Sequence, residues 1–208
     1  SVSMFTRWGV SSTVDVWVKR RVPDEEFRAP LPPSLLGTAA ANVQKHPVPG
    51  LDPSPSTQQG VALPWHEVLP HFRPDATPSV GAELQSEFFV PYSRSKQAVS
   101  ALNHTLQTPQ ALVHLNRGVL LIAEMRTVAA DNLLLSPSNG CQTLGIHFTW
   151  APDPIRVDAM LQLVQPVLVS FGGVPHWGKV FTVPRSVFTR YFGPRLERFA
   201  ELVRQMDP

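Results

Sequence analysis

The chain has 208 residues, enough for one large domain or two small ones and for a substantial core. An apolar fraction of 43% and a charged fraction of 16% read as globular, and a formal charge of +2 without long Lys or Arg clusters gives no ground for a nucleic-acid partner. No apolar run approaches the roughly 20 residues that span a bilayer, no signal-peptide pattern is visible, and the single Cys141 rules out an intrachain disulfide and favours a reducing, cytoplasmic setting.

The chain starts in strand-like sequence, Ser1-Val2-Ser3-Met4-Phe5, and stops at Asp207-Pro208 just after a helix. It reads as a piece of a longer protein. Residues 13–22 alternate Val14, Val16 and Val18 with Asp15, Trp17 and Lys19, the pattern of a half-buried strand. Residues 1–8 are its expected partner. From Pro30 to Pro78, Pro, Gly, Ser, Gln and His dominate. Little regular structure is expected there beyond short helical turns near Leu35 and Trp65. Trp65, Leu69 and Phe72 argue for packing of this stretch.

The pattern then becomes regular. Glu83–Val90 reads as a strand with Leu84, Ser86, Phe88 and Val90 on one side. Ser93 or Ser95 is the expected cap of a helix to about Gln107, burying Ala98, Val99, Leu102 and Leu106. Val119–Val128 and Thr143–Trp150 read as strands. Asp153 is placed to cap a helix through Val157, Met160, Leu161 and Val164, which Pro166 is expected to end or kink. Val174–Thr182 reads as a last strand, and Pro194–Gln205 as a final helix with Pro at its first turn. The expected fold is α+β: an antiparallel sheet with helices on one face and a ferredoxin-like β-α-β-β-α-β core from about residue 82. Residues 1–80 add a strand pair and Pro-rich loops to what is read as one domain, 1–208.

Three segments set polar side chains in apolar sequence: Glu124-Met125-Arg126-Thr127, His147-Phe148-Thr149-Trp150 and His176-Trp177-Gly178-Lys179. A charge in such a run is costly unless it is paired or lines a polar cavity. Strand parity puts Glu124 and Arg126 on one face with Ile122 and Val128, and His147 with Thr149. The two strands are consecutive and expected to pair antiparallel, with Lys179 arriving from the last strand. The resulting donors and acceptors suit a ligand with several hydroxyls. Plainer readings remain open for each: a Glu124–Arg126 ion pair on a solvated face, a core His147, a packed His176-Trp177, a surface Lys179. His66 and His71 fit no metal motif, and no metal site is expected. No Gly-x-Ser-x-Gly elbow and no phosphate-binding glycine loop is present.

On these segments the chain resembles the substrate-binding half of the alditol (xylitol) oxidases, FAD-dependent enzymes of the vanillyl-alcohol-oxidase group and relatives of the aldonolactone oxidases. Further matching stretches are Ser1–Thr6, Trp17–Val22, Thr57–Gly60, Leu84–Pro91, Glu124–Asp131 and Pro175–Thr182. The resemblance implies a second domain, absent from this chain, that binds FAD, commonly through a covalent link to a His. It implies a polyol substrate and dioxygen as partners, with Lys179 and His147 catalytic. Glu124, Arg126, Thr149 and Lys179 would bind substrate, and His176 and Trp177 would face the flavin. The chain alone is expected to be catalytically silent. Alternatives are an aldonolactone oxidase and a non-catalytic ferredoxin-like module that binds RNA on its open sheet face. Glu124 on that face argues against the RNA reading.

Overall fold

The computed structural model describes residues 2–9, 14–21, 34–35, 37–54, 56, 58–76 and 81–207. Ser1, Thr13, Val22, Pro30, Thr57, Pro78 and Pro208, named above, lie outside the described residues. In chain order the strands are β1 (Val2–Thr6), β2 (Val14–Val18), β3 (Ser34–Leu35), β4 (Thr38–Ala39), β5 (Leu84–Pro91), β6 (Leu120–Val128), β7 (Thr143–Trp150) and β8 (Val174–Pro175). The helices are α1 (Trp65–Val68), α2 (Ser95–Leu106), α3 (Pro109–Leu115), α4 (Pro154–Ser170), α5 (Arg185–Phe192) and α6 (Pro194–Met206). Six strands form one antiparallel sheet in the order β2-β1-β6-β7-β5-β8, so the fold is α+β. The expected β1–β2 pair does extend the main sheet, through β1 against β6.

Alternation decides what each sheet face carries. Phe88 and Val90 of β5, Ala123 and Met125 of β6, and Ile146, Phe148 and Trp150 of β7 face one way. They form the main core with Ala98, Leu102 and Leu106 of α2 and with Val157, Met160, Leu161, Val164 and Leu168 of α4. Phe148 and Trp150 stack at 5.0 Å, and the Trp150 indole N–H donates to the buried Ser86 hydroxyl at 2.9 Å. That bond satisfies the one polar atom the indole brings into the core. A register shift between Leu120 and Ile122 turns Leu120 towards this core and Ile122 to the opposite face.

Several expectations change on folding. The residues near Leu35 form the β3–β4 ribbon, with Gly37 at a φ of +77°, and not a helical turn. The turn at Trp65 is helical, but Trp65 and Phe72 meet edge-on at 4.8 Å and stay 61% and 56% exposed, so they pack on each other and not into the core. Helix α2 begins at Ser95 after a 3-10 turn at Tyr92–Arg94; Arg94 is its N-cap residue, without a side-chain bond. Asp153 caps α4, accepting from the Arg156 amide at 3.1 Å. That helix passes Pro166 and ends at Ser170. Pro166 and Gln162 are both exposed, so the carbonyl four residues back that loses its N–H faces water, while buried Val164 and Leu168 hold the helix on both sides. The last strand is two residues long, not nine. Helices α3 and α5 were not anticipated, although Thr108 before Pro109 is a cap followed by a first-turn proline, and the Thr108 hydroxyl accepts from the Ala111 amide.

Candidate active site

The sheet face opposite the main core carries the polar residues. Cross-strand register aligns Glu124 of β6 with His147 of β7 and with Glu87 of β5, and Ile122 with Thr149 and Gln85. Arg126, Gly145 and Phe89 form the next row. Ser3 of β1 lies opposite Arg126. The expected grouping of Glu124, Arg126, His147 and Thr149 on one face is therefore what the structure contains.

Glu87 is the residue that sequence reading missed. Its side chain is 1% exposed, and both oxygens are engaged: Oε1 accepts from Arg126 Nη2 at 2.8 Å and Oε2 from Lys179 Nζ at 2.6 Å. Arg126 also donates through Nη1 to Glu124 at 3.2 Å. The signal was present. Glu87 has the opposite parity from Leu84, Ser86, Phe88 and Val90, the same argument that paired Glu124 with Arg126. Opening a buried pair of this kind typically costs about 3–5 kcal/mol, because the remaining charge has no water to turn to. Ser3 is a second omission; it is buried on the same face, and its hydroxyl helps to hold the Glu124 carboxyl low.

Arg126 and Glu87 sit on strands that are not neighbours, since β7 runs between them. The pair crosses β7 at Gly145. A Cβ there would lie 3.1 Å from Glu87 Oε1 and 3.6 Å from the Arg126 Cγ. Glycine at 145 thus makes room for a salt bridge laid across the strand.

Lys179 reaches Glu87 by an irregular route. The His176 amide donates to the Glu87 carbonyl at 2.9 Å, and the Val180 amide to the Gln85 carbonyl at 2.8 Å. The carbonyls are two residues apart and the amides four, so two extra residues bulge from the ladder. The bulge carries Trp177, Gly178 and Lys179, and it is why the expected strand is interrupted. The Gly178 amide donates to His176 Nδ1 at 3.0 Å. The Trp177 indole stacks on Phe188 at 4.7 Å and donates to the Leu135 carbonyl at 3.0 Å. Tyr191 and Arg195 donate to the carbonyls of Pro137, Leu134 and Ser136 in the same loop. The second apolar cluster, Phe89, Val174, Phe188 and Phe192, backs this assembly. Trp177 therefore anchors the bulge, and His176 lies against Phe89 with ring centroids 6.0 Å apart.

The electrostatics follow from these contacts. Burial works to raise the Glu87 carboxyl, but the Arg126 and Lys179 charges and hydrogen bonds outweigh it and hold it below its ordinary range. Burial works against Glu124 too, yet His147, the Ser3 hydroxyl and Arg126 hold it down to about 2. Arg126 is raised despite burial, by its two carboxylates. His176 is lowered by burial, with Lys179, Arg126 and His147 opposing its charge and Glu87 favouring it. His147 Nδ1 lies 3.8 Å from Glu124, and its buried Nε2 has no hydrogen-bond partner among the described residues. The cluster holds two carboxylates and two cations, and so carries no net charge with both imidazoles neutral. No helix among the described residues is long and apolar enough to cross a membrane.

Residues 82–208 match the family "D-arabinono-1,4-lactone oxidase", a stretch that takes in Glu87, Glu124, Arg126, His147, Thr149 and Lys179 but neither Ser3 nor Asp15. The whole chain is 41% identical over 209 residues to an alditol oxidase of Streptomyces sp., of which it covers 47%. It is 25% identical over 127 residues to the L-gulonolactone oxidase of Mus musculus, matching 59% of this chain and 27% of that protein. The chain thus spans about half the length, or less, of the curated relatives it matches. On the match across its sheet and helices, the chain belongs to the D-arabinono-1,4-lactone oxidase family of oxidases.

Proposed function

We propose that this chain is the substrate-binding part of an FAD-dependent oxidase that converts the terminal CH2OH of an alditol, such as xylitol or sorbitol, to the aldehyde of the aldose, with dioxygen reduced to hydrogen peroxide. The observation that carries the reading is the 41% identity to an alditol oxidase along the entire chain. The chemistry of the face supports it: a neutral, buried set of charge-assisted donors and acceptors suits an uncharged polyhydroxylated ligand.

FAD would supply the two-electron redox chemistry, in which the substrate carbon gives up a hydride. The residues here fit the reacting end of such a cofactor and not its diphosphate, since no phosphate-binding glycine loop is present and the polar side of the sheet bears none of the helices of the main core. The diphosphate would be held by a separate domain, and His176 with the exposed edge of Trp177 would be the nearest contacts this chain offers the flavin. Glu124 stays ionised and can only accept, which favours the His147 tautomer with its proton on Nδ1. Nε2 then keeps a free lone pair, as required to take the proton of the reacting hydroxyl. Lys179, tied to Glu87 by one N–H, has two more to donate to the oxygen as negative charge develops on it. Arg126 and Glu124 hold neighbouring hydroxyls, and Thr149 is a secondary contact.

In the full-length protein, Lys179→Ala and Arg126→Ala are expected to lower turnover on xylitol about 100-fold or more. Near-normal kinetics in both would overturn the assignment. A lactone oxidase is the second reading, favoured by the family description and by the mouse relative. A panel of xylitol, sorbitol, D-arabinono-1,4-lactone and L-gulonolactone separates them; faster oxidation of a lactone would replace the first reading by the second.

A further inference from the structure

Glu87 has no part in the chemistry just described, yet it is the most buried charge of the site and the one group that touches both cations. Among the described residues, Lys179 Nζ makes its hydrogen bond to Glu87 alone. Lys179 sits on a bulge and not on a strand, so nothing in the backbone ladder fixes its ammonium. Arg126 has a second carboxylate, Glu124, and remains 39% exposed. Removing Glu87 would therefore release Lys179 and leave Arg126 tethered on one side.

The charge count makes a second point. Glu87 and Glu124 balance Arg126 and Lys179. Asp15, on the same face two strands from β6, is paired with Lys45 at 3.0 Å and adds nothing net. His147 and His176 are the other titratable groups near the pair. A neutral residue at 87 would leave the site at +1, with a free ammonium facing the ligand. Glycine at 145 leaves room for this arrangement, because any side chain there would push on Glu87 Oε1.

We propose that Glu87 is a positioning and specificity-determining residue: it aims Lys179 and Arg126 and cancels their charge, so that the site takes an uncharged polyol and rejects the corresponding sugar acid. The proposal rests on the polyol reading above. Its physical basis is that a carboxylated ligand meets cations already satisfied by a buried carboxylate, and must lose its own hydration without gaining a free partner.

The test uses the full-length protein and two probes, xylitol and its carboxylate analogue D-xylonate, with binding read by titration calorimetry and turnover measured in parallel. Glu87→Gln is expected to weaken xylitol and tighten xylonate, moving their affinity ratio towards the acid by about tenfold or more. Lys179→Met leaves the site at −1 and should move the ratio the other way. Gly145→Ala, which changes no charge, should weaken xylitol and leave the ratio in place. A ratio within about twofold of the parent in Glu87→Gln overturns the proposal, as does a shift of the same sign in Lys179→Met. If Glu87→Gln does not fold, the sign of the Lys179→Met shift decides alone: away from xylonate supports the proposal, and no shift overturns it. The ratio requires no turnover, so a parent protein that fails to oxidise polyols overturns the proposed function while the charge selection is still read.

Discussion

Individual side chains show how a fold makes room for costly charges. Glu124 keeps its carboxyl at about 2 in the folded protein, against an ordinary 4.5, because His147, Ser3 and Arg126 favour its ionised form more than burial opposes it. A depressed folded value contributes stability that is full above the unfolded value and lost as pH falls through the folded one. Glu124 is thus expected to contribute on the order of 3 kcal/mol at neutral pH, lost between about pH 4.5 and pH 2. Denaturant unfolding at several pH values checks this: Glu124→Gln should flatten that part of the stability profile, and an unchanged slope would refute the attribution. The same scale shows why Glu124 and Arg126 were legible and Glu87 was not. The first two are neighbours on one strand and announce each other through spacing. Glu87 meets Arg126 39 residues away and Lys179 92 residues away, and those meetings exist only once β5, β7 and the bulge are in register.

At the level of elements, local rules worked where an element is held by its own pattern and failed where packing overrode them. The strand Thr143–Trp150 was legible to the residue, because its alternation is buried on one face and polar on the other. Pro166 was expected to end or kink α4; the helix does not end there but runs on to Ser170, since tertiary contacts on both sides outweigh a missing hydrogen bond at a water-facing position. Pro166→Ala restores that bond and is expected to stabilise the protein by about 1–3 kcal/mol, less what the freer unfolded chain takes back. A lowered melting temperature in this variant would show that the helix depends on a bend at the proline. The bulge at Trp177–Lys179 was hidden for another reason. Its cause is the contact of the Trp177 indole with Leu135 and Phe188, both from other elements, and no local spacing reports it.

At the scale of the whole molecule, order is unevenly distributed. Strand β7 is paired on both sides and covered by α2 and α4, whereas the described residues between 40 and 63 are largely exposed and have few backbone bonds. Hydrogen exchange followed by mass spectrometry on the full-length protein is expected to find β7 amides slowest and those of residues 40–63 among the fastest of the described residues. Strong protection of 40–63 would mean that the rest of the protein covers them. The sequence by itself determined the α+β class, the strands of the central sheet and the parity that gathers Glu124, Arg126, His147 and Thr149, because period-two burial is written into each strand separately. Only the tertiary structure decided that Glu87 completes the site, that Gly145 lets an ion pair cross a strand, and that Lys179 arrives on a bulge. Each of these depends on register between segments far apart in the chain, and register is fixed by the packing of the sheet as a whole.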